Sequence, residues 1–348
     1  MSENTESVVP KRNGSAANSA PTIYDIARLA GVNPSTVSRA LSTPGRISAK
    51  TEAKIKAAAK DLNYRANPFA RALPTGRTKI IAFMVADITN PVFFQAVRGA
   101  EKVATEAGYT LVIAESQESS LMEADMLERI LPAVDGVILA TSRLGDDQIR
   151  SINAEKPVVL LNRMVNGVVD VVANNEPGII QSIQHLAEFG HKHVGFLSGP
   201  SASWINGERW KLIMKAAVAA GMTVVEIGPN DPTLFGGGRG LDRVLASGVT
   251  AVIAYNDLMG IGLMREAQSR GLSIPGDLSV IGFDNVFGSD FTSPPLSTIV
   301  IPMVVTGEDA ARQLLNILIA PDGTPLENVP PQVETSLLAR GSTGSPKL

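Results

Sequence analysis

With 348 residues and 44% apolar side chains, the chain can bury a full core and is expected to fold as two or three units. It contains no cysteine, which excludes disulfides, thiolate catalysis and cysteine-based zinc sites and suits a reducing compartment. The formal charge of −3 is unevenly spread: residues 22–79 carry 11 Lys or Arg against 3 Asp or Glu, a net of +8, while residues 80–348 sum to −11. A basic head on an acidic body suits a polyanion, because neutralised phosphates release counterions while the rest of the molecule stays soluble and repels nucleic acid.

Residues 1–20 are rich in Ser, Asn, Ala and Glu, with no apolar stretch of the export-signal kind, and read as a disordered lead. No run approaches the ~18 apolar residues of a membrane span, so a cytoplasmic protein is expected. Residues 21–66 read as a small all-α headpiece. In TIYDIARLAGVNPSTVSRAL, residues 22–41, Thr22 and Asp25 have capping-box spacing, and Ile23, Ile26, Ala27 and Ala30 recur at helical period. Gly31 can take the left-handed conformation that ends a helix. Asn33 and Pro34 start a second one, because Asn can cap free N–H groups and Pro lacks the donor that the first helical position would orphan. Val37, Ala40 and Leu41 face inward there, which leaves Ser35, Thr36, Ser38 and Arg39 outward, types that read bases and phosphates. The pair reads as a DNA-binding helix-turn-helix, the plainer alternative being an ordinary surface hairpin. A third helix is predicted from Ser48 through Tyr64, with Ile55, Ala58 or Ala59, and Leu62 inward.

Residues 67–78, NPFARALPTGRT, are too short for a helix that is stable alone, so they read either as a hinge ordered by a partner or as a passive tether. From Lys79 to residue 342 buried apolar runs alternate with amphipathic stretches. IIAFMVAD, TLVIAES, GVILATS, PVVLLNR and VVDVVAN read as strands, with helices starting near Pro91, Ser119 and Gly145. After residue 175 the rhythm returns in HVGFLSGP, TVVEIG, AVIAYND, LSVIGFD and LSTIVIP, with helices near 177–189, 205–220, 236–247 and 258–270. Such strands imply parallel sheets covered on both faces, and two series imply two doubly wound subdomains with a cleft between them. Ligands of open α/β sheets bind beyond the carboxyl ends of the strands.

No cofactor or metal site is expected. His185, His191 and His193 lie near one helix-to-strand turn without carboxylate or Cys neighbours. GGGRG at 236–240 lacks the Lys and Ser or Thr of a phosphate loop, matches no dinucleotide fingerprint, and reads as the approach to a helix. Nothing resembles a nucleophile with its base, so an enzyme is not expected.

Four stretches, TIYDIARLAGVNPSTVSRAL, LNYRANPFARAL, DITNPVFFQAVRGAE and GFDN with PPLSTI, closely resemble the lactose repressor family of bacterial transcription factors, across about residues 21–342. The resemblance implies a homodimeric repressor, nucleoid-associated when bound, whose two helix-turn-helix headpieces read a pseudo-palindromic operator in double-stranded DNA. It also implies a periplasmic-binding-protein-like core that binds a small-molecule effector. The N-subdomain would comprise about residues 79–174 plus 303–320, the C-subdomain about 175–302 plus 325–342, and residues 343–348 a tail. By position, Pro34 and Ser35 match the family's operator-discriminating sites, Arg39 its base-contacting arginine and Leu73 its minor-groove wedge. The DNA-facing set is then Thr22, Tyr24, Asn33, Pro34, Ser35, Thr36, Ser38 and Arg39, with Asn67, Arg71 and Leu73 in the hinge. Pro34 has no side-chain donor for a base, which shifts readout to Ser35, Thr36 or contact with a thymine methyl. Pro74 departs from the polar or basic continuation of most members and ends the hinge promptly.

The resemblance places effector contacts at Asp87, Phe93, Phe94, Asn162, Arg209, Asn256 and Asp284, and Trp204 joins them as a candidate from its own position. Arg209 and Asp284 match the family's effector-binding arginine and aspartate. A guanidinium fork and a carboxylate in one cleft suit vicinal hydroxyls, though the two can equally pair with each other. Either Phe can be core. Trp204, placed in a loop after HVGFLSGP, can stack on a sugar, lid the cleft or pack between subunits. Asn174 stands where many relatives carry an acid, and the terminal GSTGSPKL has no leucine heptads, so a dimer without a tetramer-forming tail is expected. The effector is expected to be a neutral sugar or nucleoside, acting as inducer or corepressor. The competing functions are a cytoplasmic sugar-binding protein or enzyme on the same core, and an architectural DNA protein without an effector.

Overall fold

The computed structural model describes residues 21–42, 46–64, 76–319 and 332–347. The chain divides into two units, residues 1–76 and residues 77–348.

The first unit contains α1 (Ile23–Ala30), α2 (Pro34–Ser42) and α3 (Ala49–Asp61). At the start of α1, the Asp25 carboxylate accepts from the Thr22 backbone N–H at 2.9 Å and from its hydroxyl at 2.7 Å, which lowers the Asp25 pKa. Gly31 ends α1 at φ +67°, the left-handed region that a Cβ disfavours. The Asn33 carbonyl closes the first turn of α2, accepting from Thr36 and Val37 at 2.9 and 3.2 Å. Ser48 caps α3 by accepting from the Thr51 N–H. α3 stops at Asp61, short of the predicted Tyr64. Asn63 turns to φ +48° and the Tyr64 N–H reaches back to the Ala59 carbonyl at 2.8 Å, a left-handed C-terminal cap. Ile26, Ala27, Val37, Ala40, Ile55 and Ala58 form the buried centre where the three helices meet.

The second unit holds two sheets. The first is built from β1 (Ile80–Val85), β2 (Thr110–Glu115), β3 (Gly136–Ala140), β4 (Val158–Leu161) and β5 (Val169–Val171), in the order β2-β1-β3-β4-β5 and parallel throughout. Helices α4 (Val92–Glu106), α5 (Ser120–Ile130) and α6 (Asp146–Glu155) connect its strands. The second sheet uses β6 (His193–Leu197), β7 (Thr223–Ile227), β8 (Ala251–Ala254), β9 (Ser279–Asp284), β10 (Ser297–Val300) and β11 (Ser336–Leu338), in the order β11-β10-β9-β8-β6-β7. Its helices are α7 (Glu176–Glu188), α8 (Trp204–Ala219), α9 (Leu234–Arg239), α10 (Leu241–Ala246) and α11 (Asp257–Ser269). After β10 the chain returns to the first sheet as α12 (Met303–Ile319), which packs on α4, β3 and β4. Residues 332–347 belong to the second sheet, and a bridge between Asn174 and Glu334 joins two of the crossing segments. Strands β3, β4 and β8 are buried along their whole length, as their unbroken apolar runs require, and β9 is buried as well, with Ser279 and Asp284 at its two ends.

Each predicted strand stretch contains a strand, and β11, antiparallel to β10, was not foreseen. GGGRG is not the approach to a helix, since Gly236, Gly237 and Gly238 lie inside α9. A Cβ on Gly237 would stand 2.1 Å from the Met259 carbonyl oxygen, and one on Gly262 would stand 1.9 Å from that of Leu234. These glycines let α9 and α11 cross at backbone contact. The segment read as a tail from residue 343 packs on the second sheet: the Gly344 carbonyl accepts from Ser279 Oγ at 3.1 Å, and Lys347 pairs with Asp277 at 2.5 Å.

Candidate nucleic-acid interface and ligand cleft

On the headpiece, packing Val37 and Ala40 inward turns the opposite side of α2 to solvent. Ser35, Ser38 and Arg39 are exposed there, and Pro34 and Thr36 are half-buried. Thr22, Tyr24 and Asn33 are also exposed, with Tyr24 at 64%. The exposed side of α2 offers hydroxyls and a guanidinium fork on a short helix, the size and chemistry that a major groove admits. Asn67, Arg71 and Leu73 lie outside the described residues.

In the second unit, polar residues gather where the parallel strands end. Arg209, on α8, and Asp284, at the end of β9, are both buried, and the guanidinium Nη2 donates to Asp284 Oδ1 at 3.0 Å. Nη1 donates to the Tyr255 carbonyl, and the guanidinium lies 3.7 Å over the Phe283 ring and 5.2 Å from the Tyr255 ring centroid. The Arg209 Nε–H is buried without a hydrogen-bond partner among the described residues. Burial pushes the Asp284 pKa up against the opposing pull of Arg209. The two side chains that the sequence offered as ligand contacts or as an ion pair are, in this structure, an ion pair floored by aromatic rings.

Behind them Asp257 is completely buried, accepting from Thr298 Oγ at 2.6 Å and from the Val286 N–H at 2.8 Å. Burial, reinforced by the like charge of Asp284, pushes its pKa up to about 8. Asn256 is the N-cap of α11: its Oδ1 accepts from the Met259 N–H at 2.9 Å and its Nδ2 donates to the Pro232 carbonyl at 3.0 Å. Both polar ends of that side chain are already engaged. Trp204 is the first residue of α8, not part of a loop, because the Ser203 hydroxyl accepts from the Asn206 N–H and starts the helix one residue earlier. It is half-buried against the core.

In the first sheet, Asp87 turns inward on its own loop, accepting from the Thr89 N–H and hydroxyl at 2.8 and 2.7 Å. Phe93 is buried in the core while Phe94 is 56% exposed, so neighbouring residues of α4 divide the two readings between them. Asn162 is buried at φ +57° just beyond β4. Arg163 beside it donates to the Ser142 carbonyl at 2.8 Å and pairs with Asp146 at 2.7 Å.

Three groups here were not singled out from the sequence. Arg143, just beyond β3, is held by Glu118, with Nε donating at 2.8 Å, and donates through Nη1 to the Thr141 carbonyl at 2.7 Å. Burial works against its charge, but the Tyr255 phenol and the Glu118 carboxylate outweigh it and raise the Arg143 pKa. Glu123 accepts from the Arg143 backbone N–H at 2.8 Å, and burial raises its pKa. Arg143 stands beyond a strand of the first sheet and Tyr255 beyond one of the second, each near the carboxyl end of its strand. The position of Arg143 right after the strand GVILA was the available signal. The histidines are occupied otherwise: His191 with Thr250 at 2.7 Å and the Gly344 carbonyl at 2.9 Å, His185 with Thr343, and His193 with Thr223. Among the described residues, no group of acids and histidines could hold a metal ion, and no helix is long and apolar enough to cross a membrane.

A helix-turn-helix headpiece and a two-sheet core with a polar cleft define a DNA-binding regulator with a ligand-binding core. Residues 22–67 match the family of bacterial regulatory proteins, lacI family, and residues 183–343 match the periplasmic binding protein-like domain. The chain is 30% identical over 332 residues to the HTH-type transcriptional repressor CytR of Escherichia coli strain K12, covering 93% of this chain and 96% of that one. The lac repressor dimer bound to operator and the anti-inducer ONPF matches with a TM-score of 0.82 at 25% identity, over 94% of this chain and 100% of that one. The transcriptional regulator CelR in complex with cellobiose matches with a TM-score of 0.67 at 28% identity, over 92% and 99%. The chain belongs to the lacI family of bacterial regulatory proteins, a family of DNA-binding transcriptional regulators.

Proposed function

We propose that the protein is a homodimeric transcriptional repressor that reads a pseudo-palindromic operator through α2 and changes its grip when a neutral sugar or nucleoside enters the cleft. The headpiece is residues 21–66, the hinge 67–78, and the core 79–342 with the packed segment beyond it. Arg39, Ser35, Thr36 and Ser38 meet base edges and phosphates, Thr22, Tyr24 and Asn33 position the helix, and Asn67, Arg71 and Leu73 engage the minor groove. The reading of the cleft rests on one observation above others: a buried guanidinium fork and carboxylate, Arg209 and Asp284, stand at the strand ends with an Arg209 N–H left over. A ligand with adjacent hydroxyls satisfies both groups, accepting from one and donating to the other. Asp87, Asn162, Phe94 and Trp204 complete the contacts, and Phe93 and Asn256 support them from behind. CelR, solved with cellobiose, supports a sugar-sized ligand.

A route from cleft to DNA is supported by β3. Arg143 lies just beyond its carboxyl end, and Asp135 just before its amino end accepts from the Thr78 and Lys79 N–H groups at 2.7 and 3.0 Å. The chain entering from the headpiece is therefore fastened to a strand that also ends in the cleft. The protein has no turnover of its own and works in the cytoplasm, associated with the nucleoid when bound.

Thermal unfolding of the purified chain with a panel of pentoses, hexoses, disaccharides and nucleosides tests the cleft, since a ligand at 100 times its Kd adds about 2.7 kcal/mol. One compound should raise Tm in the native protein and fail in Arg209→Met and Asp284→Asn. A compound that acts equally on all three proteins binds elsewhere. Consumption of any compound would favour the enzyme alternative.

A further inference from the structure

Two of the three histidines converge on the C-terminal segment, away from both the headpiece and the cleft. His191, just before β6, is 1% exposed, and its hydrogen-bond partners are all neutral. Its Nε2 stands 2.9 Å from the Gly344 carbonyl, which can only accept, and 3.2 Å from Ser279 Oγ, so Nε2 carries the proton. Its Nδ1 is then the acceptor for the Thr250 hydroxyl at 2.7 Å. His185, half-buried on α7, meets the Thr343 hydroxyl through Nε2 at 2.8 Å.

Residues 340–347 lie across the amino ends of β9 and β10, the end of the second sheet opposite Asp284. Ser342 is fully buried: its carbonyl accepts from the Val280 N–H at 2.9 Å, and its hydroxyl donates to the Val280 carbonyl at 2.6 Å and accepts from the Ser297 N–H at 2.8 Å. The Gly344 N–H donates to Ser279 Oγ at 3.1 Å. At one end of the segment Arg340 donates to the Leu296 carbonyl at 2.7 Å and to Asn285 Oδ1 at 2.8 Å, which fixes the loop that starts right after Asp284. At the other end Lys347 pairs with Asp277 and holds that carboxyl below the usual carboxylate range. Between these ends the segment is held by neutral hydrogen bonds, and histidines take part at both Thr343 and Gly344.

We infer that residues 340–347 form a proton-sensitive strap, fastened by His185 and His191 while both are neutral and released when they take up protons. This stands apart from the ligand-cleft reading and needs no effector. A proton on His191 Nδ1 would remove the acceptor of the Thr250 hydroxyl, whose other acceptor, the His193 carbonyl, lies 3.5 Å away. The new charge would meet no free carboxylate: Asp277 is taken by Lys347, Glu188 acts on His185, and His185 would itself become a like charge.

Burial lowers the pKa of both histidines from the ordinary 6.5, with Glu188 opposing at His185, while at His191 the Gly344 carbonyl opposes and His185 adds to the shift. The strapped form therefore binds fewer protons than the released form. Its hold is complete above about pH 6.5 and weakens as pH falls below that value. Each histidine that the strap keeps neutral raises the ratio of released to strapped molecules by up to about tenfold per pH unit. Asp277 stays ionised across this window and does not contribute.

The test uses the full chain with one spin label at Ser345→Cys, an exposed strap position in a chain with no other cysteine. The label should be immobile at about pH 8, and a mobile component should grow below about pH 6.5 while circular dichroism stays unchanged. In His191→Gln and in His185→Gln an amide supplies a donor and an acceptor without a proton to gain. Each should flatten the rise by up to about tenfold per pH unit. A parent label that stays immobile down to about pH 5, or a mobile component that grows equally in parent and variants, overturns the strap. Hydrogen exchange of the native chain gives a reading free of substitutions. After correction for intrinsic pH dependence, exchange at the Val280 and Ser297 amides should speed up below about pH 6.5 while β3 and β4 stay protected. Unaltered protection at those two amides overturns the strap, whether or not either glutamine variant folds.

Discussion

Asp257→Asn tests the electrostatics that underlie the cleft. Asp257 is completely buried, and the two cations near it are engaged elsewhere, Arg209 with Asp284 and Arg340 with the Leu296 carbonyl and Asn285 Oδ1. With its pKa pushed from an ordinary 3.8 to about 8, Asp257 keeps its proton in the folded chain at pH values where the unfolded chain has lost it. The folded state therefore binds more protons in this window, and stability falls as pH rises from about 4 to about 8. At about 1.4 kcal/mol per pH unit, this one group removes on the order of 3 kcal/mol between pH 5 and pH 8. The amide of Asp257→Asn carries no charge, keeps an acceptor for the Val286 N–H, and can donate to a rotated Thr298 hydroxyl. Urea unfolding midpoints of both proteins should coincide near pH 5 and separate steadily toward pH 8, with the variant the more stable. Parallel pH profiles would show that Asp257 is ionised in the folded chain and that the proposed charge balance at Arg209 and Asp284 is wrong.

Arg39→Ala should lose about 1–3 kcal/mol of operator affinity at one base position, read by fluorescence anisotropy against single-base operator variants; equal loss on every sequence would make Arg39 a phosphate contact only. Ile55→Ala, in the centre of the small headpiece, should cost about 2–5 kcal/mol there. DNA binding should disappear while the main thermal transition of the core stays in place, and a shift of that transition would contradict the division into two units. Gly237→Ala must push α9 away from α11, because the new Cβ would start 2.1 Å from a backbone oxygen. It should lower the Tm of the core by several degrees, whereas an unchanged Tm would mean that the crossing is looser than described.

Legibility in the sequence followed the range of the interactions. β1, β3 and β8 were readable because burial on both faces makes their apolar runs unbroken. β11 was not, since three residues on an antiparallel edge leave no periodicity to detect. The outward face of α2 was readable because Val37 and Ala40 set its inward one. Phe93 and Phe94 are adjacent and chemically identical, so only the packing of α4 could say that one is core and the other exposed. GGGRG was read only as the approach to a helix, yet α9 holds its glycines because Met259 crosses at backbone contact, which depends on a helix more than 20 residues away in the chain. Arg143 escaped notice for the same reason: it is unremarkable alone, and its pairing with Glu118, distant in the chain, is created by the fold.

Selection from a randomised pool of duplex DNA at fixed salt, with and without the compound that stabilises the core, tests the central claim most directly. A pseudo-palindromic sequence should emerge, bound by the native protein with an affinity that the compound changes and lost in Arg39→Ala. Recovery of no palindrome, or of one whose affinity no cleft ligand alters, would contradict a ligand-responsive operator-binding repressor.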